Sequence, residues 1–438
     1  MSLIRSDRIQ SNNANKVPSS TAMIVPSTTL LSILMVHSKS SNTPLPILRM
    51  NRSFDQETSN HNTNPTDSTD HTDSTESPSD EHQKSYHTQL VVHFDINETI
   101  LVGDVAGGDT REDCLNKILA KSAFVRIPDN SSDSDSNIDW GRIQPTHWWD
   151  GTPFDDTTTY PPPPLYTGWK WPPNSIPYYR TAWKKQSSTF TTGHGKVYRP
   201  LYEQLQSKVA IPHSPLSELP EILSHMIPSI FYTLKTLMER PQPTRIVFRT
   251  FGTDLPLIAK AITCFARGQH PDYLDFHCEE LLLDRSNLFR GRWNNQNVYQ
   301  LWTHDGDTLL ASGGSAILEF ISTMPCCGIQ DDYDFWAAHE CAPWAGKPVW
   351  VPCDKSVHHV LLDDNIHPLE FDGIASVHEE QPNNGDYRTL SGAEILEQQG
   401  IHLIRVPTIK PILDEHWFID QLDRAQLRFE VKHRNGLH

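Results

Sequence analysis

Apolar residues in this chain gather into short runs of two kinds. QLVVHFD, at 89–95, packs Leu90, Val91, Val92 and Phe94 almost without interruption. Such density marks a strand buried on both faces, as in a parallel sheet, rather than one alternating between core and solvent. RIVFRT, ending at Thr250, and VHHVLL, ending just before Asp363, have the same texture. In the stretch from Arg111 to Phe124, Cys114, Leu115, Ile118 and Leu119 instead recur near a helical period, and Leu216 to Glu239 and LPLIAKAITCFA at 255–266 also read as helices. Strands alternating with helices in this way predict an α/β fold: a three-layer sandwich around a mainly parallel, Rossmann-like sheet. Smaller elements complete the pattern: a strand at NVYQLW, a turn at HDGD, a helix from Ser315 to Thr323, a strand in IHLIRVPTIKPIL and a closing helix in DEHWFIDQLDRAQLRF. No internal repeat is visible.

Where the patterns stop, the organisation shows. From Asn51 to Lys84 the chain is Ser, Thr, Asn, Asp and His with almost nothing apolar, so nothing there offsets the entropy of ordering, and residues 1–86 are expected to be a disordered tail. The core then begins at 87–127. Residues 128–200 carry the acidic patch DNSSDSDSNID, the PPPP run, Trp148, Trp149, Trp169 and Trp171, a composition that suits an irregular, aromatic-packed insertion better than helices or central strands. The core is expected to continue through 201–269, to be interrupted by a second insertion at 270–340, and to finish in 341–438.

Composition narrows the function. With 37 Lys+Arg against 54 Asp+Glu, the net charge of -17 disfavours nucleic acid or an anionic membrane as an electrostatic partner. No apolar run reaches the roughly 18 residues a membrane span requires; TAMIVPSTTLLSILMV is too short and is broken by Pro26. The seven cysteines contain no CxxC pair, and the adjacent Cys326 and Cys327 fit reduced thiols better than a disulfide framework. A cytoplasmic protein fits this pattern. The alternative is organelle targeting, because Arg5, Arg8, Lys16, Lys39 and Arg49 face Asp7 as the only acid in the first fifty residues.

Candidate chemistry lies at the ends of the buried strands, where open α/β sheets build their sites. FDINETI places Asp95 at the end of the first strand with Thr99 four residues on, and LLDDN places Asp363 and Asp364 after another. Carboxylates at two neighbouring strand tips can share one divalent cation. Thr250 closes a third strand.

Taken together, these motifs resemble the haloacid dehalogenase-like hydrolase superfamily. FDINET matches its first motif except at Asn97, where a second Asp is expected; Thr250 in IVFRT matches the second, and Asp363 with Asp364 the fourth. The third motif is a lysine upstream of the acidic pair, filled by Lys347 in AGKPVW or by Lys355 in CDKSVHH, with Lys347 preferred. The resemblance implies a magnesium-dependent hydrolase of phosphoric monoesters, with a small-molecule or protein phosphate ester as substrate. Asp95 would be the nucleophile that becomes an aspartyl phosphate. Magnesium would be held by Asp95, the backbone carbonyl of Asn97, and Asp363 or Asp364. Thr250 and Lys347 would bind the phosphoryl oxygens.

Asn97 is the departure. A carboxamide cannot exchange the proton that the family's Asp carries, a service typically worth about 10²–10⁴-fold. The alternative reading is therefore a weak or silent member that binds phosphate or protein. His93, His358 and His359 are candidates to replace the acid. The sequon at Asn97 reads as a chance match, as does a metal role for His304 and Asp305. Arg290 and Arg292 are candidates to grip an anion, with a solvated hairpin as the plainer expectation. The tryptophans of the first insertion are candidates to line a cap.

Overall fold

A computed structural model describes residues 88–434 apart from 104–107, 128–139, 155–161, 167–170, 210–220, 367–372 and 384. The tail expected at 1–86 lies outside the described residues, as does the first part of the helix expected from Leu216.

Thirteen strands occur among the described residues. The first seven are β1 (Gln89–Asp95), β2 (Phe124–Arg126), β3 (Ser175–Pro177), β4 (Thr244–Thr250), β5 (Leu288–Trp293), β6 (Tyr299–Thr303) and β7 (Leu309–Ser312). The rest are β8 (Cys326–Gln330), β9 (Lys347–Val351), β10 (Val357–Asp363), β11 (Ala375–Glu380), β12 (Tyr387–Thr389) and β13 (Leu403–Arg405). Eight of them form one sheet in the order β13-β10-β1-β4-β8-β5-β6-β7. Every pairing from β13 to β5 is parallel, and only β6 and β7 join antiparallel. The fold is thus α/β with a mainly parallel sheet.

The continuous apolar runs are buried on both sides. Leu90, Val92 and Phe94 pack with Ile246, Phe248, Val360 and Leu362 against the helices Ser229–Glu239, Leu255–Ala266 and Trp417–Arg434. On the other face Val91, Val247 and Ile329 meet Ile317 and Ile321 of the helix Gly314–Ser322, together with Trp350 of a small second sheet, β12-β11-β9. Each such side chain contributes about 1.5–3 kcal/mol on burial. No helix among the described residues is long and apolar enough to cross a membrane.

Several elements differ from the sequence pattern. The helix expected over 216–239 is split into a turn of 3-10 helix at Glu221–His225 and the helix Ser229–Glu239, with Pro228 at the start of the second, where its missing N–H costs nothing. Residues 270–340, expected to be an insertion, supply β5 to β8 of the main sheet. β8 is a core strand. Its Gly328 lets Leu255 pack close, since a Cβ there would stand 2.6 Å from Leu255 Cδ1. Between Trp140 and Tyr198 the described residues form four stretches of 3-10 helix, the short strand β3 and irregular chain, packed on the helix Arg111–Ser122, with Trp148 buried against Phe154, Phe190 and Tyr198.

Candidate active site at the carboxyl ends of β1 and β10

From β1 the chain proceeds to β4 on one side of the sheet, whereas β10 is followed by β13 on the other. The strand order therefore reverses between β1 and β10, and ligands of open α/β sheets bind outside the carboxyl ends of such a reversal. Asp95, Thr250 and Asp363 are the last residues of β1, β4 and β10. Because Phe94 pairs with Leu362, the residues that follow, Asp95 and Asp363, emerge side by side.

The loop after β1 is a tight turn in which the N–H groups of Ile100 and Leu101 both donate to the Ile96 carbonyl. Glu98 takes a left-handed conformation, with φ of 59°. Its carboxylate is ion-paired with Lys121, and its carbonyl accepts from the Thr408 hydroxyl. Held at both ends, Glu98 fixes Asn97 and Thr99 on either side of it. The Thr99 hydroxyl donates to Asp95 Oδ2 at 3.0 Å and accepts from the Asp364 N–H at 3.1 Å, so it ties the two strand tips together.

Lys347, at the start of β9, lies buried between the acids. Its Nζ donates to Asp95 Oδ1 and, at 2.8 Å, to Asp363 Oδ2. Asp363 Oδ1 accepts from the Asn365 N–H at 2.8 Å. Burial opposes the lysine's charge, but Asp363 and Asp95 hold its ammonium above the ordinary lysine range. Burial and then the neighbouring Asp363 push the Asp95 carboxyl up to about 7, against the pull of Lys347 and Thr99. Asp364 is raised too, by burial and then by Glu98, with Asp363 and Asp95 adding to the effect and Lys121 opposing it. One oxygen from each of Asp95, Asp363 and Asp364 lies within 4.8 Å of the others. Hard oxygen donors converging this closely suit a metal ion.

The second face of the site is Thr250, Asn97 and Asp254. The Thr250 hydroxyl accepts from the Gly252 N–H at 2.8 Å, and Asn97 Nδ2 donates to Asp254 Oδ2 at 3.0 Å. A Cβ at Gly252 would lie 2.5 Å from Asp254 Oδ2 and 3.4 Å from both Asn97 Nδ2 and Thr250 Oγ1, so only glycine leaves this corner open.

Behind Lys347 lies a buried ion pair that the sequence reading missed. The Arg249 guanidinium grips Asp331, with Nε 2.8 Å from Oδ2, and the Tyr299 hydroxyl donates to the same carboxylate. Arg249 also donates to the carbonyl of Pro348 at 3.1 Å, which anchors the strand carrying Lys347. The signal was present: an apolar CCGI run followed by Gln330, Asp331 and Asp332 repeats the grammar of LLDDN. Asp254, also missed, gives no such signal.

Of the two candidate lysines, Lys347 is in the site and Lys355 is exposed before β10, at the opposite end from Asp363. The histidines are not at the strand tips. His93 and His359 meet at 3.1 Å inside the sheet, and His358 Nε2 donates to the Ile401 carbonyl at 2.9 Å. All three are buried and held neutral, their protonation suppressed first by desolvation. Arg290 and Arg292 belong to the β5–β6 hairpin, separated from β1 by β4 and β8. Asp305 caps its own turn by accepting from Thr303. Trp148 is core, not a cap lining. No family model, curated protein or solved structure matches the chain.

Proposed function

We propose that the chain is a magnesium-dependent hydrolase of the haloacid dehalogenase-like type, acting on a phosphate ester through an aspartyl phosphate at Asp95. The observation that carries this reading is the Lys347 ammonium set between Asp95 and Asp363 where the strand order reverses. A buried carboxylate nucleophile attacking a phosphoryl group needs fixed positive charge beside it, and Lys347 supplies that without reorganisation. Asp95 forms the bond to phosphorus, and water later cleaves the mixed anhydride and returns the carboxylate. Lys347 and the Thr250 hydroxyl bind the phosphoryl oxygens. Asp95, Asp363 or Asp364, and the Asn97 backbone carbonyl would hold the magnesium. When bound, it supplies neutralisation of the carboxylate and phosphate charges that otherwise repel.

Asn97 favours a second reading, a member that binds phosphate or protein without turnover, because no acid stands at its position. A panel of phosphate esters, with and without magnesium, tests the choice. Turnover that requires magnesium and vanishes in Asp95→Asn is the expected result. If wild type turns over no ester under either condition, the binding-only reading takes its place.

A further inference from the structure

The two ends of the Asn97 carboxamide have different surroundings. Its Nδ2 donates to Asp254 Oδ2 at 3.0 Å, a contact that fixes the amide because a carboxylate oxygen accepts and cannot face the carbonyl end. Its Oδ1 is buried and has no hydrogen-bond partner among the described residues. Buried acceptors are nearly always satisfied, so one left open two residues after the nucleophile marks a place where the reactants bring the donor. The corner is kept open by the glycine at 252, where a Cβ would stand 2.5 Å from Asp254 Oδ2 and 3.4 Å from Asn97 Nδ2. Beside Asp95 there is therefore an acceptor that cannot release a proton, held in its orientation by one N–H of the same amide donated to Asp254.

We propose that this site takes phosphoryl donors whose leaving group departs as an anion without protonation, namely aryl phosphates, acyl phosphates or phosphoanhydrides, and that Asn97 Oδ1 orients the water of the second step. The inference rests on the phosphatase reading and narrows its substrate class. In the first step an Asp95 oxygen bonds to phosphorus and the bond from phosphorus to the leaving oxygen breaks. That oxygen keeps the electron pair, and no proton moves. In the second step a water oxygen, its O–H donating to Asn97 Oδ1, bonds to phosphorus. The bond to Asp95 breaks, the pair returns to the carboxylate, and both water protons leave on dihydrogen phosphate. Alkyl esters are poor substrates here because their alkoxide needs a proton that Asn97 lacks. Asp254 is a positioning residue that sets which end of the amide faces the reaction.

The test is a leaving-group series on the full chain with saturating magnesium: acetyl phosphate, 4-nitrophenyl phosphate, phenyl phosphate and ethyl phosphate. In wild type, ethyl phosphate should react slower than 4-nitrophenyl phosphate by about 10²–10⁴-fold, the range that a missing proton donor accounts for. Asn97→Asp should narrow that gap. Asp254→Ala frees the amide to turn an N–H toward the leaving oxygen of the first step, so the phenyl to 4-nitrophenyl rate ratio should change, whereas a purely structural role would lower both rates alike. The wild-type series decides the matter even where a variant does not fold. Equal wild-type rates for ethyl and 4-nitrophenyl phosphate would overturn this inference and leave the phosphatase reading standing. No turnover of any donor, acetyl phosphate included, would remove both.

Discussion

At the scale of single residues, Lys347 is the group on which the site's charge balance turns. It stands between Asp95 and Asp363, and it is itself almost wholly buried. Removing one partner of a buried pair leaves uncompensated charge, so Lys347→Met is expected to lower stability by about 3–5 kcal/mol. Magnesium should then stabilise the variant more than wild type, because the ion replaces the lost cation. Urea unfolding with and without magnesium measures both effects, and equal magnesium increments in the two proteins would contradict the shared site. Asp95, Thr250 and Asp363 were legible because each closes an apolar run. Lys347 was legible only as one of two candidates, since Pro348 disguises the strand it opens. Asp254 was not legible at all: FGTDLP reads as the start of a helix, and nothing local shows that its carboxylate meets an amide 157 positions earlier.

At the scale of elements, the ion pair of Arg249 and Asp331 joins β4 to the turn after β8 and, through the Pro348 carbonyl, to β9. It acts as the bracket that sets the small sheet against the large one. Asp331→Asn is expected to destabilise by about 3–5 kcal/mol, whereas the double change Arg249→Met with Asp331→Leu should cost less than the sum of the singles, because no charge is left buried alone. A double-mutant cycle on unfolding free energies checks this, and strict additivity would show that the two groups do not act as a pair. β8 escaped the hydrophobic pattern for a physical reason. Cys326, Cys327 and Gly328 have weak strand character, and the glycine is present for the close approach of Leu255 rather than for extension. By contrast, β1, β4 and β10 were plain because both of their faces are apolar.

At the scale of the whole molecule, buried histidines make the fold sensitive to acid. Burial pushes His359 down to about 3 and His402 and His378 down to about 4, while an unfolded chain takes up those protons near 6.5. Between these values the unfolded state binds more protons, so this contribution to stability is lost as pH falls from about 6.5 toward 4. For His402 the loss is on the order of 3 kcal/mol across the window. Asp95, raised to about 7, acts in the opposite sense, so a single substitution is the cleaner measurement. The difference in melting temperature between wild type and His402→Gln should narrow as pH falls from 6.5 to 4, and a gap independent of pH would contradict the buried neutral state. The order of the main sheet has a further consequence, for the making of the protein. β1 needs β10 as its neighbour, yet Asp95 and Lys347 are 252 positions apart in the chain. At roughly 5–20 residues per second of synthesis, Asp95 leaves the ribosome about 10–50 s before the lysine that balances it. For that interval one edge of an apolar strand has no partner, the situation in which nascent chains aggregate or are held by chaperones.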